Sequence, residues 1–220
     1  MVDHVTWTQG GALLLDMDGT LVDSNAVVER VWTQWSHEHG IDPARTLEVI
    51  HGRQGHESMA ILLPGRPHKF NLAENRELLA AETAELDGVV AIDGAAQLLD
   101  DLVGIPHALV TSATRDLAVA RMGAAGLRMP DLSVTAEDVR RGKPHPDAFL
   151  LAAAGLGVDP ADCIAVEDSA NGIAAGISAG MRVLGVGPHA KLADPTWTIA
   201  SVASCRVIAD DDGLILSFAG

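Results

Sequence analysis

The sequence lacks any apolar run that approaches the roughly 18 to 20 residues needed to span a membrane. Residues 1–9 contain Asp3 and neither lysine nor arginine, so they lack the basic region and the long apolar region of a secretory signal. These absences predict a cytoplasmic protein that has no membrane partner.

Positive charge is also scarce. The chain has 15 Lys and Arg residues against 30 Asp and Glu residues, which gives a formal net charge of −15, and its only lysines are Lys69, Lys143 and Lys191. Because such a field repels polyanions, we expect no nucleic-acid partner. A site for a small anion remains compatible with this charge if a few cations and backbone donors override it locally.

Cysteine is rare as well. Cys163 and Cys205 do not have the spacing of metal ligands, and each lies in an apolar, strand-like run. We therefore predict two buried, reduced thiols.

Short apolar runs alternate with helical patterns along most of the 220 residues, of which 48% are hydrophobic. The runs that we predict to be buried strands are residues 12–15, 107–111, 163–166, 182–186 and 206–209. The helical patterns are residues 116–126, 146–154 and 170–179. This alternation predicts an α/β fold with a doubly wound, Rossmann-like parallel sheet. The acidic turn at residues 210–213, followed by apolar residues, predicts a C-terminal hairpin at a sheet edge.

Residues 25–86 break this alternation, because they show helical periodicity and no convincing strand. Asp42 and Pro43 offer an N-cap and a first helical residue. The apolar residues that mark an earlier and a later helix are Val27, Val28, Val31, Trp32 and Trp35, then Leu72, Leu78, Leu79 and Leu86. We expect the tryptophans to pack the helix rather than stack on a ligand. The pattern predicts an all-helical domain at residues 23–90, inserted into a core of residues 1–22 and 91–220.

Acidic residues follow two of the predicted strands. Asp16 and Asp18 stand two residues apart after the first strand, so an extended chain would point them the same way. An ordinary aspartate-glycine turn is the alternative interpretation. Glu167 and Asp168 follow a later strand, and paired acids at the carboxyl end of a parallel sheet suggest a hard divalent metal such as Mg²⁺.

Two further segments suit an anion. Thr111, Ser112 and Ala113 lie between a strand and a helix that we expect to begin near Arg115, which gathers hydroxyls and free N–H groups at a helix N-terminus. A plain helix cap is the alternative. Lys143 lies in a proline-bounded loop, where a solvated lysine is the alternative. The four features occur in order, which favours one shared site over four unrelated turns.

This ordered set resembles the haloacid dehalogenase (HAD) superfamily of phosphotransferases, and the helical insertion resembles that family's helical cap. The resemblance spans residues 12–187. Residues 51–53, 111–116 and 134–149 are most similar to glycerol-phosphate and sugar-phosphate phosphatases, including the 2-deoxyglucose-6-phosphate type.

The resemblance implies a Mg²⁺-dependent phosphatase that hydrolyses small polyol or sugar phosphate monoesters. Asp16 would be the nucleophile that forms an aspartyl-phosphate, and Asp18 would protonate the leaving alkoxide and later activate water. The groups expected to bind phosphoryl oxygens are Ser112, with Thr111 as the alternative hydroxyl, the backbone N–H of Ala113, and Lys143. The groups expected to hold Mg²⁺ are Asp16, the carbonyl of Asp18, Asp168, and Glu167 from behind them or through water.

His51 and Arg53 in the cap are our candidates for contacts to the leaving group, since an arginine can donate several hydrogen bonds. Exposure at a helix end is the alternative for both residues. The expected partner is a small phosphorylated metabolite, and the protein is expected to be a monomer or a small homo-oligomer.

Other members of the superfamily fit the sequence less well. Dehalogenases lack the second aspartate, which is Asp18 here, and phosphonate hydrolases carry a lysine in the first cap helix, where residues 25–39 have none. β-Phosphoglucomutase carries a histidine where this sequence aligns Val28, so a mutase stays the alternative to a hydrolase. A non-catalytic binding module is a further alternative.

Overall fold

A six-stranded parallel sheet forms the centre of the protein in a computed structural model, which describes residues 2–7, 11–210 and 213–219. Its strands are β2 (Ala12–Leu15), β5 (His107–Val110), β6 (Leu132–Val134), β7 (Cys163–Glu167), β8 (Arg182–Val186) and β9 (Trp197–Ile199), in the spatial order β6-β5-β2-β7-β8-β9. The remaining strands are β1 (Val2–Trp7), β3 (Val22–Asp23), β4 (Val90–Ala91), β10 (Arg206–Asp210) and β11 (Gly213–Ala219). The predicted parallel sheet is confirmed.

Helices cover both faces of this sheet. The core helices are α5 (Ala95–Asp101), α6 (Arg115–Ala124), α7 (Asp147–Leu156), α8 (Ala170–Ser178) and the short α9 (Gly187–Ala190). Along β2, Leu13 and Leu15 pack into a cluster with side chains of α5 and α6. Ala12 and Leu14 pack into a second cluster with side chains of α7 and α8. Every residue of β2 must therefore be apolar, because alternate side chains are buried on opposite faces of the sheet.

The strand order reverses at β2, which pairs with β5 on one side and β7 on the other. In an open α/β sheet, ligands bind beyond the carboxyl ends of the strands at such a switch point. The residues that follow these three strands therefore lie where a site is expected.

Four helices form the segment between β3 and β4, and the structure describes all of residues 24–89. They are α1 (Asn25–Glu38), α2 (Pro43–Ile50), α3 (Gly55–Leu62) and α4 (His68–Ala84). Asp42 caps α2 by accepting a hydrogen bond from the N–H of Ala44, as its position before Pro43 predicts. Trp32 and Trp35 are buried in an apolar cluster of these helices. β3 and β4 pair with each other, so the chain leaves the core and returns to it side by side.

A separate antiparallel sheet, in the order β1-β11-β10, holds both ends of the described chain. The predicted C-terminal hairpin forms between β10 and β11, and the two acidic residues at its turn, 211–212, lie outside the described residues. Its third strand is β1, so the hairpin does not extend the parallel sheet, whose edges are β6 and β9. Leu216 and Phe218 attach this sheet to the main core.

Cys163 and Cys205 are buried and unpaired, in agreement with the sequence. Within the described residues, no helix combines the length and the apolar character that crossing a bilayer requires.

Candidate functional site

Lys143 is fully buried, with 1% of its surface exposed. Its ammonium donates hydrogen bonds to Asp16 Oδ1 at 2.6 Å, to Glu167 Oε1 at 2.5 Å and to the carbonyl of Val110 at 2.9 Å. It thus bridges the ends of β2, β5 and β7. Burial disfavours the charged form, but the carboxylates of Asp16 and Glu167 outweigh it and raise the pKa of Lys143. The alternative of a solvated lysine is wrong.

Asp16, Glu167 and Asp168 bring carboxylate oxygens to within 4.8 Å of one another. Burial, followed by the charge of Glu167, raises the pKa of Asp16 well above its ordinary value, although Lys143 opposes the shift. The same two causes raise the pKa of Asp168 to about 8. The cluster therefore holds more negative charge than its one lysine can balance.

This charge excess fits a divalent cation. Both oxygens of Glu167 are already engaged, because Oε1 accepts from Lys143 and Oε2 accepts from the hydroxyl of Ser169 at 3.0 Å. Gly19 lies against the carboxylate of Asp168. A Cβ on Gly19 would be 2.0 Å from Asp168 Oδ2, and Gly19 has a φ of +83°, so this position requires glycine. Asp16 and Asp168 are thus the carboxylates available to a hard cation such as Mg²⁺.

The loop after β5 supplies hydroxyls beside this cluster. Thr111 is buried, and its Oγ1 accepts a hydrogen bond from the N–H of Ala113 at 3.0 Å. Ser112 is half-buried, and its hydroxyl donates to the carbonyl of Gly52 at 3.3 Å. The helix that follows begins at Arg115 as predicted, with Thr114 at its N-cap. Ser112 therefore presents the less constrained hydroxyl, whereas Thr111 stabilises the loop.

Asp18 is held differently from Asp16. Its Oδ1 accepts hydrogen bonds from the hydroxyl of Ser24 at 2.7 Å and from Arg121 Nη1 at 2.9 Å. Arg121 lies on α6 and is 3% exposed, and its Nη2 donates to Glu82 Oε2 on α4 at 2.7 Å. Neither Arg121 nor Glu82 was predicted from the sequence as a site residue. The available signal was a charged residue on the apolar face of α6, next to Met122.

The loop between α2 and α3 closes over the site from the helical insertion. Arg53 Nη2 donates to Asn171 Oδ1 at 2.9 Å, and Asn171 Nδ2 donates to the carbonyl of His51 at 2.8 Å. Gly52 has a φ of +69°, and a Cβ there would meet Ser169 Oγ at 2.1 Å. Half-buried Arg53 thus contacts the core, whereas the side chain of His51 is exposed at the rim of the pocket. Asn171 is a further residue at the site that was not predicted from the sequence.

A pocket separates this loop and the helices from the strand ends, and both Asp16 and Asp18 line it. Val28, Trp32 and Leu78 of the helical insertion form an apolar wall of this pocket. Asn75 adds a buried carbonyl oxygen, Oδ1, that accepts no hydrogen bond from the described residues. The pocket thus has an acidic and cationic floor and a mixed apolar and polar roof.

Comparisons with known proteins agree with this arrangement. A family model of haloacid dehalogenase-like hydrolases matches residues 11–180. Hexitol phosphatase A of Escherichia coli (strain K12) is 45% identical over 175 residues, covering 79% of this chain and 81% of that protein. Glycerol-1-phosphate phosphohydrolase 2 of Saccharomyces cerevisiae is 32% identical over 188 residues, covering 80% of this chain and 74% of that protein.

A solved structure of β-phosphoglucomutase from Clostridium difficile matches with a TM-score of 0.78 at 25% identity, covering 88% of this chain and 92% of that chain. The family match spans all three strand ends that meet at Lys143. The superfamily expected from the sequence is confirmed, and the chain belongs to the haloacid dehalogenase-like hydrolases.

Proposed function

We propose that the protein is a Mg²⁺-dependent phosphatase that hydrolyses small polyol or sugar phosphate monoesters through an aspartyl-phosphate on Asp16. The observation that carries the proposal is the buried contact of Lys143 with Asp16, which lines a pocket together with Asp18. The named relatives that act on hexitol and glycerol phosphates support the phosphatase activity and the substrate class.

In the first half-reaction, a carboxylate oxygen of Asp16 attacks phosphorus, and the bond from phosphorus to the ester oxygen breaks. Asp18 gives its proton to that oxygen, so the alcohol leaves neutral. Lys143 holds Asp16 Oδ1, which orients the carboxylate for attack.

In the second half-reaction, Asp18 takes a proton from water, and the water oxygen attacks the phosphorus of the aspartyl-phosphate. The bond between phosphorus and Asp16 breaks, which releases inorganic phosphate and restores both carboxyl groups. One carboxyl thus serves as acid and then as base.

Mg²⁺ would be held by Asp16, the backbone carbonyl of Asp18 and Asp168, with Glu167 behind them through its contacts with Lys143 and Ser169. When bound, the ion supplies positive charge that neutralises the phosphoryl oxygens beside these carboxylates. The Ser112 hydroxyl and Lys143 would donate to the phosphoryl oxygens by exchanging existing hydrogen bonds, Ser112 its bond to the carbonyl of Gly52 and Lys143 one of its three. The N–H of Ala113 would join them by exchanging its hydrogen bond to Thr111 Oγ1.

The roof of the pocket matches a hydroxyl-bearing leaving group. Arg53 and His51 reach the pocket, and Asn75 offers an unpartnered acceptor, so a polyol or sugar can exchange its hydrogen bonds with water for contacts to these groups. Val28 lies in the wall and has no titratable atom, which favours a hydrolase over the mutase alternative. The complete set of charged residues argues against a non-catalytic binding module.

We further propose that residues 23–90 are a cap domain and that residues 1–22 and 91–220 are the catalytic core. The paired strands β3 and β4 support this division, because they carry the chain out of the core and back into it side by side. A cytoplasmic location, a small metabolite as the partner, and a monomer or small homo-oligomer remain our predictions.

The decisive experiment is a phosphate-release assay of the purified protein with Mg²⁺ on glycerol phosphates, hexitol phosphates, sugar phosphates and 4-nitrophenyl phosphate. We expect Mg²⁺-dependent release that chelation by EDTA abolishes, with faster turnover of polyol or sugar esters than of the aryl ester. The Asp16→Asn variant controls for a contaminating phosphatase. Absence of release from every ester would contradict the proposed function.

A further inference from the structure

A buried ion-pair chain runs from the core into the helical insertion beside the proposed acid and base. Arg121 contacts Asp18 with Nη1 and Glu82 with Nη2, and both Arg121 and Glu82 are about 95% buried or more. Arg121 lies on the core helix α6, and Glu82 lies on α4 in the insertion. A charge pair at this depth is expensive to bury unless its geometry is well satisfied, so its presence beside the active site needs an explanation.

We propose that Arg121 is a positioning residue that fixes one oxygen of Asp18, and that Glu82 of the cap fixes Arg121 in turn. The inference rests on the proposed function, because it concerns the residue that would transfer protons there. It adds a role for two residues outside the four sequence motifs.

The hydrogen bonds of Asp18 carry the argument. Ser24 and Arg121 both donate to Oδ1, whereas Oδ2 accepts no hydrogen bond from the described residues. The side chain of Asp18 is 31% exposed and lines the pocket. Two donors on one oxygen restrict the rotation of the carboxyl group and leave the second oxygen free to exchange a proton with a leaving group or with water.

Glu82 is needed because Arg121 is buried. Of the guanidinium nitrogens, Asp18 Oδ1 accepts from Nη1 only, so without Glu82 the buried Nη2 would have no partner among the described residues, and an unpaired buried charged donor is strongly unfavourable. Glu82 Oε2 supplies that partner at 2.7 Å. Because Glu82 lies on α4, the position of the cap helix also determines the position of Arg121.

The test compares two substrates that differ in their need for a general acid. Arg121→Met removes the guanidinium but keeps a long apolar side chain, and Arg121→Lys keeps the charge with a single donor group. With Mg²⁺, we expect Arg121→Met to lower kcat for glycerol phosphate about tenfold to a hundredfold, as misplacement of a catalytic group does. The loss for 4-nitrophenyl phosphate should be several times smaller, because its leaving group needs less protonation. Arg121→Lys and Glu82→Gln should show the same pattern with smaller losses.

A double-mutant cycle shows whether Arg121 acts through Asp18. In an Asp18→Ala background, Arg121→Met should lower kcat by less than about threefold further, because the effects of residues that act as one unit do not add. Arg66→Met is the matched control, since it breaks the Arg66–Glu74 ion pair of the insertion away from the pocket. It should retain wild-type kinetics, and the unfolding temperature of each variant reports whether it folds.

Equal losses of Arg121→Met on both substrates, or a full further loss in the Asp18→Ala background, would overturn the inference and indicate direct contact with phosphate or a general loss of structure. Failure of the proposed function is distinguishable, because then the wild-type protein itself releases no phosphate from either ester.

Discussion

Lys143 Nζ lies 2.6 Å from Asp16 Oδ1, although the two residues are 127 positions apart in the sequence. Neither charge faces bulk water, because Lys143 is 1% exposed and Asp16 is 6% exposed. The ammonium also contacts Glu167, so one cation offsets two carboxylates. The positive charge of Lys143 is therefore already paired with carboxylates of the protein in the absence of phosphate.

The Asp16→Asn variant should lose about a thousandfold or more of the phosphatase activity, because the amide keeps the shape but removes the nucleophile and a metal ligand. Steady-state phosphate release with Mg²⁺ measures this loss. The unfolding temperature should not fall below that of the wild type, since the change removes a buried carboxylate whose pKa is already raised. Near-normal activity in this variant would refute the mechanism.

The Asp18→Ala variant should lower kcat by about a hundredfold to ten-thousandfold on alkyl phosphates, which is the usual contribution of a general acid and base. The loss should shrink on aryl phosphates, whose leaving groups are stable without a proton. A series of esters with leaving groups of graded pKa measures this dependence. The acid role would be wrong if alkyl and aryl esters suffered equally.

The Arg53→Ala variant should lower kcat/KM for a polyol or sugar phosphate by about tenfold to two-hundredfold, because polar contacts across the pocket are lost. A small aryl phosphate, which lacks hydroxyls, should be affected much less. Lys143→Ala is the opposing control, since the loss of the phosphoryl-site cation should damage both substrates.

The contact of Arg53 with Asn171 adds a second control, because Arg53 could act by docking its loop on the core. Asn171→Ala removes that contact and leaves the guanidinium in place. Polyol specificity should persist in Asn171→Ala if Arg53 contacts the substrate. If Asn171→Ala reproduces the full effect of Arg53→Ala, the arginine only docks the loop.

The stability of the metal-free protein should fall as the pH rises from about 4 towards 8. The pKa of Asp168 is about 8 in the folded protein against an ordinary value of 3.8, so the folded state binds more protons than the unfolded state across this window. Asp16 shifts in the same direction. In EDTA, the unfolding temperature of Asp168→Asn should therefore increase relative to that of the wild type as the pH rises.

Mg²⁺ should reverse this trend, because it binds the ionised carboxylates of the folded state. The rise in unfolding temperature on adding Mg²⁺ should be larger at pH 8 than at pH 6, and it should be much smaller in Asp168→Asn. An equal Mg²⁺ effect in the variant would place the ion elsewhere.

Short-range patterns predicted the elements that carry the chemistry. A buried parallel strand must be apolar on both faces, so Asp16, Thr111 and Asp168 stand out as the first polar residues beyond β2, β5 and β7. The same reasoning found the bounds of β2 and β8 and the capped start of α2. Local periodicity was too weak to predict β6 and β9, which have three residues each, or to predict α3 as a separate helix of eight residues.

The sequence by itself therefore determined the fold class, the helical insertion and the residues at the strand ends, because each depends on neighbours within a few positions of the chain. Tertiary structure alone decided that Lys143 is buried against Asp16, that Arg121 joins Asp18 to Glu82, and that Arg53 meets Asn171. It also decided that the C-terminal hairpin pairs with β1. These contacts join residues far apart in the sequence, and they depend on how helices and sheets pack, which no local pattern of residues encodes.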